Sequence, residues 1–371
     1  MKAVLLVPGT VRQDRLAPAR IGKAPRDFFY GTLGLEKAGY GLAFADTRAD
    51  PPGFAAWVKL QGDIARNRFL RVGYSRRRYD AVAPALAMAD VAISPTDGFT
   101  MSLGLSAPAT LRCRLIGGFM GLSDLTERAR PGFAGLVRRR LVRVLDRLDH
   151  VFFFSPADRQ KTLRDYDLDE SKASLLEFGI DTEFWSPGAP AGDLPRPEIL
   201  SIGSDPNRDY ETLLAADLPA RLTVLTRLPV VLPVGADVEL LRGDIYHAKL
   251  DDAGLRNLYR AAKVVVVPVH DVWQPSGQSV TMQAMACGRP VVVSRNRGLW
   301  APDIMRDGEN CLLVSPGDSV ALGDAVRRLH GDPALAVRLG RAARATALTF
   351  GIATVEASLR SIVDRTMAAG H

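Results

Sequence analysis

Short apolar runs alternate along the chain with longer stretches whose apolar residues recur at helical spacing. In the first half the runs are AVLLVP, GLAFAD, VAISP, CRLIGG and HVFFFS, and in the second EILSIGS, LTVLT, VELLRG, VVVVPV, PVVVS and CLLVS. Such alternation predicts parallel sheets built from strand-helix-strand units, one doubly wound sheet in each half. Between the halves, Ile180 to Glu198 is rich in proline and has no periodicity, as an interdomain linker would be. The pattern places an N-terminal domain at 1–185 and a second domain at 186–348. A last helix, 349–371, is expected to pack back on the first domain.

Length agrees, because 371 residues are about twice one ordinary domain. Apolar residues at 47% and charged residues at 24% are globular proportions and exclude a mainly disordered chain. Cys113, Cys287 and Cys311 stand singly, with neither zinc-site spacing nor a disulfide framework, which points to a reducing compartment. The start, MKAVLLVPGT, has too short an apolar stretch for a signal peptide, and no run is long enough to span a membrane. The expected location is cytoplasmic, with peripheral attachment to the inner face of the cell membrane as an option.

Charge sharpens that option. The net +7 comes entirely from the first half, where 28 Lys and Arg face 21 Asp and Glu up to Pro190, against 20 and 20 afterwards. Two clusters dominate, Arg66 to Asp80 and Arg138 to Arg147; the second reads as one basic helix turning Leu141, Val144 and Leu145 inward. These clusters suit an anionic membrane surface or form an ordinary solvated face. No nucleic-acid motif accompanies them, so nucleic acid is not an expected partner.

In open parallel sheets ligands bind beyond the carboxyl ends of strands. Five places qualify: Gly9-Thr10, Asp97-Gly98, Gly203-Ser204, Pro275 to Ser279, and Arg295 to Gly298. The fourth lies in QPSGQSVTMQAMACGRPVVVS, Gln274 to Ser294. Ser276, Gly277 and Gln278 precede a helix from about Ser279 to Ala286, whose free N–H groups and positive end make an anion site. Gly277 would admit a diphosphate close to the backbone, and Ser276 or Ser279 would cap the helix or donate a hydroxyl hydrogen bond. Gly288 and Pro290 end the helix and start the next strand. Asp97 would touch an acceptor hydroxyl or sugar, or else cap its own helix. Among the histidines, His150, His247, His270, His330 and His371, only His270 falls near the site, with a solvent-facing or packing role expected. No grouped carboxylate, HExxH or DxD pattern suggests a metal, so none is expected.

The second half resembles the nucleotide-sugar domain of GT-B glycosyltransferases, most closely family 4, over about Leu148 to Phe350. LLEFGIDTEFWSPG, ILSIGSDPNRDYETLLAA, LRNLYRAAKVVVVPV, MQAMACGRPVVVS and DGENCLLVSPGD are similar to family motifs and in the same order. The resemblance implies two Rossmann-like domains facing across a cleft. It also implies retaining transfer from a UDP- or GDP-linked sugar to an acceptor held by the first domain. With no metal motif the transfer is expected to be metal-independent, and the basic charge of that domain fits a saccharide or lipid-linked acceptor in glycan or polysaccharide assembly. No cofactor is implied beyond the nucleotide diphosphate sugar as donor substrate.

The family's acidic pair is replaced here by Pro275 and Gln283. By this resemblance Gln283 would hold the ribose through its amide, while sugar recognition passes to Asp271, Gln278 or a water. Arg208, beyond Gly203 and Ser204, would offset charge developing on the departing diphosphate, or would pair with Asp205 or Asp209 in a turn. Arg295 and Arg297 are auxiliary phosphate candidates. A GT-B module that binds a nucleotide sugar or a partner protein without turnover is the alternative.

Overall fold

A computed structural model describes residues 2–6, 14–45, 54–191, 195–243 and 250–369. The chain divides into two compact units. The first comprises Met1–Arg20, Phe28–Glu177 and Val355–His371, and the second Ile21–Asp27 and Phe178–Thr354.

In the first unit six parallel strands lie in the order β2-β1-β3-β4-β5-β6. They are β1 (Lys2–Leu6), β2 (Gly41–Ala45), β3 (Val91–Ser94), β4 (Arg114–Phe119), β5 (His150–Phe153) and β6 (Ala173–Leu175). The first five are the apolar runs read from the sequence; β6 is an addition. The helices are α1 (Leu16–Arg20), α2 (Leu33–Lys37), α3 (Phe54–Leu70), α4 (Arg76–Ala87), α5 (Asp97–Ser106), α6 (Leu122–Glu127), α7 (Ala134–Arg147) and α8 (Pro156–Tyr166). Helix α7 buries Val137, Leu141, Val144 and Leu145, the spacing of one helical face, and leaves Arg138, Arg139 and Arg143 exposed, with Arg140 and Arg147 half-buried at its margins.

The second unit has the order β12-β11-β10-β7-β8-β9, again all parallel. Its strands are β7 (Ile199–Ile202), β8 (Leu222–Thr226), β9 (Val238–Arg242), β10 (Val264–Val267), β11 (Val291–Ser294) and β12 (Leu312–Val314). Its helices are α9 (Tyr210–Ala215), α10 (Asp252–Ala261), α11 (Gln278–Ala286), α12 (Ser319–Gly331) and α13 (Pro333–Thr349); α14 (Ile352–Ala368) passes from this unit into the first. Strand order reverses between β7 and β10, so the crevice at a doubly wound sheet's switch point opens beyond those two strands.

The expected boundary at 185 needs correction. Ile180, Phe184 and Trp185 are core residues of the second unit, with Trp185 edge-on to Tyr259 at 5.9 Å between ring centroids. Burying these large side chains outweighs the proline-rich surroundings, and the unit starts at Phe178. It also takes in Ile21–Asp27 from far upstream.

Among the described residues no helix is long and apolar enough to cross a membrane. The three cysteines are free and buried. Gly9, Thr10, His247 and His371 lie outside the described residues.

Candidate functional site

The site is built by the loops that leave β7 and β10. After β7 the chain turns at Gly203, whose φ of +154° is a glycine conformation. A side chain there would fall on the Arg208 guanidinium. The amide of Arg208 donates to the Asp205 carbonyl at 3.0 Å. Arg208 also makes an antiparallel bridge to Val269, and the flanking amides of Asp209 and His270 bond to Pro268 and Asn207 carbonyls. Backbone bonds thus stitch the first loop to the second.

After β10 the chain reaches Gly277, φ +83°, the N-cap of α11. A β-carbon there would stand 2.5 Å from a Val267 methyl and 3.1 Å from Arg208 Nη1. Two glycines therefore make room for one guanidinium, which lies between the end of β7 and the start of α11. Arg208 is 5% exposed, and its Nε and Nη1 are buried with no hydrogen-bond partner among the described residues. This overturns the turn-pairing alternative. Asp205 accepts from the Asn207 amide and Gln274 Nε2, and Asp209 caps α9 through Thr212.

The first turn of α11 adds donors. Gln278 and Thr281 amides are bound by Pro275 and Gly277 carbonyls, while helix geometry aims the intervening Ser279 and Val280 N–H groups outward. Neither Ser276 nor Ser279 caps the helix, since Gly277 occupies the cap and no side chain bonds there. Instead Ser276 is buried and its Oγ accepts from Asn207 Nδ2 at 2.9 Å, which locks the two loops together. Asn207, unremarked in the sequence, carries this tie. Ser204 Oγ accepts from the Arg227 amide, and Gln278 is buried at the helix start. At its other end α11 closes as expected: the Gly288 amide bonds to Met285 and that of Arg289 to Ala284, a Schellman pair with Gly288 at φ +74°.

Gln283 sits elsewhere in its interactions than the resemblance implies. It is 2% exposed; its Oε1 accepts from the Tyr259 hydroxyl at 3.1 Å and its Nε2 donates to Asp27 Oδ2 at 3.4 Å. Asp27 also accepts from Trp185 Nε1 and the Asp181 amide, both at 2.6 Å, and Asp181 pairs with Arg26 at 2.8 Å. Burial pushes the Asp27 carboxyl up to about 7, and the Asp181 charge adds to the rise, while its donors oppose it. The amide of Gln283 is thus held within the protein.

Other candidates are engaged too. Arg297 pairs with Asp271 at 3.1 Å and stacks over Trp273, with both charged side chains still partly exposed. Arg295 is exposed, and its amide bonds to the Val314 carbonyl. His270 is half exposed, 3.5 Å from Asp209. In the first unit Asp97 follows β3 at that sheet's own switch point. Thr96 is the N-cap of α5, so Asp97 does not cap its helix; its carboxylate accepts from the Met120 amide at 2.8 Å. Burial raises Asp97 to about 7, and the charges of Asp158 and Asp124 add to this. Among the described residues no group of three or more His, Cys, Asp or Glu side chains could hold a metal ion.

Residues 208–332, from Arg208 through α11 to the end of α12, match the family model described as Glycosyl transferases group 1. D-inositol 3-phosphate glycosyltransferase of Frankia alni is 33% identical over 242 residues, which are 56% of this chain and 57% of that protein. The chain thus spans little more than half the length of this curated relative. Sucrose-phosphate synthase from Thermosynechococcus elongatus superposes with a TM-score of 0.70 at 20% identity over 100% of both chains. HepE of Anabaena, in complex with UDP-glucose, superposes with a TM-score of 0.67 at 14% identity over 98% of this chain and 100% of its own. With two parallel-sheet Rossmann-like units and these structural neighbours, the fold is GT-B.

Proposed function

We propose that the protein is a glycosyltransferase that binds a UDP- or GDP-linked sugar in its second unit and transfers the sugar, with retention and without a metal, to a saccharide or lipid-linked acceptor. The observation that carries this reading is the buried Arg208 guanidinium, whose Nε and Nη1 have no hydrogen-bond partner among the described residues, beside the open first turn of α11 at the switch point. A buried cation with unused donors next to a helix N-terminus is a receptor for a dense anion, and a diphosphate fits it. As the bond from sugar to diphosphate stretches, negative charge grows on the leaving oxygen. Arg208 and the α11 amides, already fixed by the Asn207–Ser276 tie and the loop bridge, stabilise that charge without having to reorganise.

The acceptor belongs to the first unit in this reading. There Asp97, held partly protonated near neutral pH, is the group proposed to contact an acceptor hydroxyl. Attachment to an anionic membrane is proposed as well. Arg139 and Arg143 are exposed on α7, and Trp57, Val58, Leu60 and Ile64 are exposed on α3, where the one acidic residue, Asp63, is buried. Exposed cations on the one helix and exposed apolar side chains on the other each suit the interface of such a bilayer.

The replaced acidic pair keeps the second reading in view, a module that binds nucleotide sugar without turnover. Incubation of the protein with a panel of UDP- and GDP-sugars, with release of nucleoside diphosphate as the readout, separates the two. Catalytic release from one donor supports transfer; saturable binding with no release over many hours supports the module; neither binding nor release removes both.

A further inference from the structure

The second unit has a groove of about 550 Å³ at the C-terminal end of α11, the end opposite Gly277. One wall is a single face of α13: Pro333, Ala336, Val337, Gly340, Arg341 and Arg344 recur at helical spacing. That face is apolar and small in its first turns and cationic in its last. A β-carbon on Gly340 would stand 2.5 Å from the Gly288 carbonyl oxygen, so α13 lies hard against the end of α11 and shapes the groove's floor. Leu329 and Pro290 complete an apolar interior, and Val337 presents 54% of its surface.

The charge around this interior is one-sided. Lys263 and His330 are taken by Glu198, at 3.0 and 2.5 Å. Among the described residues the Arg289 and Arg344 guanidinium groups bond to carbonyls only: those of Cys287 and Ala262 for the first, and of Trp185, Ala286 and Thr182 for the second. Carbonyls orient a guanidinium but do not neutralise it. Burial draws both pKa values below the ordinary arginine value, as desolvated cations lacking a counter-ion require. Arg341 is exposed and has no ion pair among the described residues. Three guanidinium groups thus border an apolar groove, and none of them forms an ion pair among the described residues.

We infer that this groove is a second binding site, for a small anionic amphiphile: an apolar body bearing one phosphate or carboxylate. Its volume lies within the range of small-molecule sites, roughly 300 to 1,000 Å³. The apolar body would fill the interior beside Val337, and the anion would reach Arg341 and its neighbours, where a charge-assisted, bidentate pair is available. The inference stands apart from the proposed transfer, because it uses none of the residues at Arg208.

Decyl phosphate, kept below its micelle concentration, is the probe, with decanol and inorganic phosphate as controls, titrated calorimetrically into the whole chain. Saturable binding at one equivalent is expected, with each control at least about tenfold weaker. Val337→Asp and Arg341→Glu, both at exposed positions, should each weaken decyl phosphate by about tenfold or more while leaving binding of a nucleoside diphosphate unchanged. Equal affinity in parent and both variants overturns the site. Decanol binding as tightly as decyl phosphate overturns the anionic requirement. Self-association that Val337→Asp abolishes, seen by sedimentation velocity, would assign the groove to a second copy instead and overturn the inference.

Discussion

Arg208 makes opposite demands on stability and on binding, and one substitution can separate them. With Nε and Nη1 buried and without a hydrogen-bond partner among the described residues, the ligand-free protein leaves two donors unsatisfied, at a cost of roughly 1 to 3 kcal/mol. Arg208→Met keeps a flexible apolar stem in the space between Gly203 and Gly277 and deletes the fork. The ligand-free variant should therefore gain about 1 to 3 kcal/mol, or roughly 2 to 4 °C in Tm for each kcal/mol. The same change removes the charge-assisted bonds proposed for the diphosphate, about 1.5 to 3 kcal/mol, which raises Kd by about 10- to 100-fold. Differential scanning calorimetry without ligand and titration with UDP and GDP read the two effects. A variant that melts lower than the parent and binds the preferred nucleotide as tightly would refute the reasoning on both counts, since it would make Arg208 a structural residue.

Gln283→Leu should cost roughly 1 to 3 kcal/mol in urea denaturation without nucleotide, because it strands the buried Tyr259 hydroxyl and removes a donor from Asp27; no loss would mean the network is dispensable. Asp27→Asn tests the raised carboxyl: the folded protein holds that proton up to about 7, whereas the unfolded chain releases it near 3.8. Its stabilising contribution is complete below the unfolded value and is lost as pH rises through the folded one, so the parent's Tm should fall more steeply than the variant's across that window. Parallel Tm profiles would count against it. Changing the exposed Arg139 and Arg143 to Gln should weaken binding to anionic vesicles and flatten its salt dependence; unchanged sedimentation with vesicles would leave those arginines as ordinary surface.

The sheets were legible because eleven of the twelve strands are short apolar runs, most of them buried along their length as strands covered on both faces are; β2 and β9, at sheet edges, are the more exposed ones. The exception, β6, is the three residues Ala173–Leu175 at a sheet edge, too short and too exposed to carry a pattern. The glycine-led start of α11 and the arginine beside it were also readable, since glycine before a helix and a basic residue after a strand are local signals. What pairs with what was not. Ser276 looked like a cap, and only the structure brings Asn207 to it across 69 residues. Gln283 looked ready for a ligand because its partner Asp27 lies 256 residues upstream, in a segment whose membership of the second unit has no local signature. Local chemistry is written locally; satisfied buried polar groups are a property of the fold.

The most direct test of the central claim is a crystal structure of the protein with the nucleoside diphosphate that stabilises it most. The account predicts a phosphate oxygen within about 3 Å of Arg208 Nε or Nη1, with the Ser279 and Val280 amides on the same diphosphate. A diphosphate bound elsewhere, with both Arg208 nitrogens still unpartnered, would contradict it.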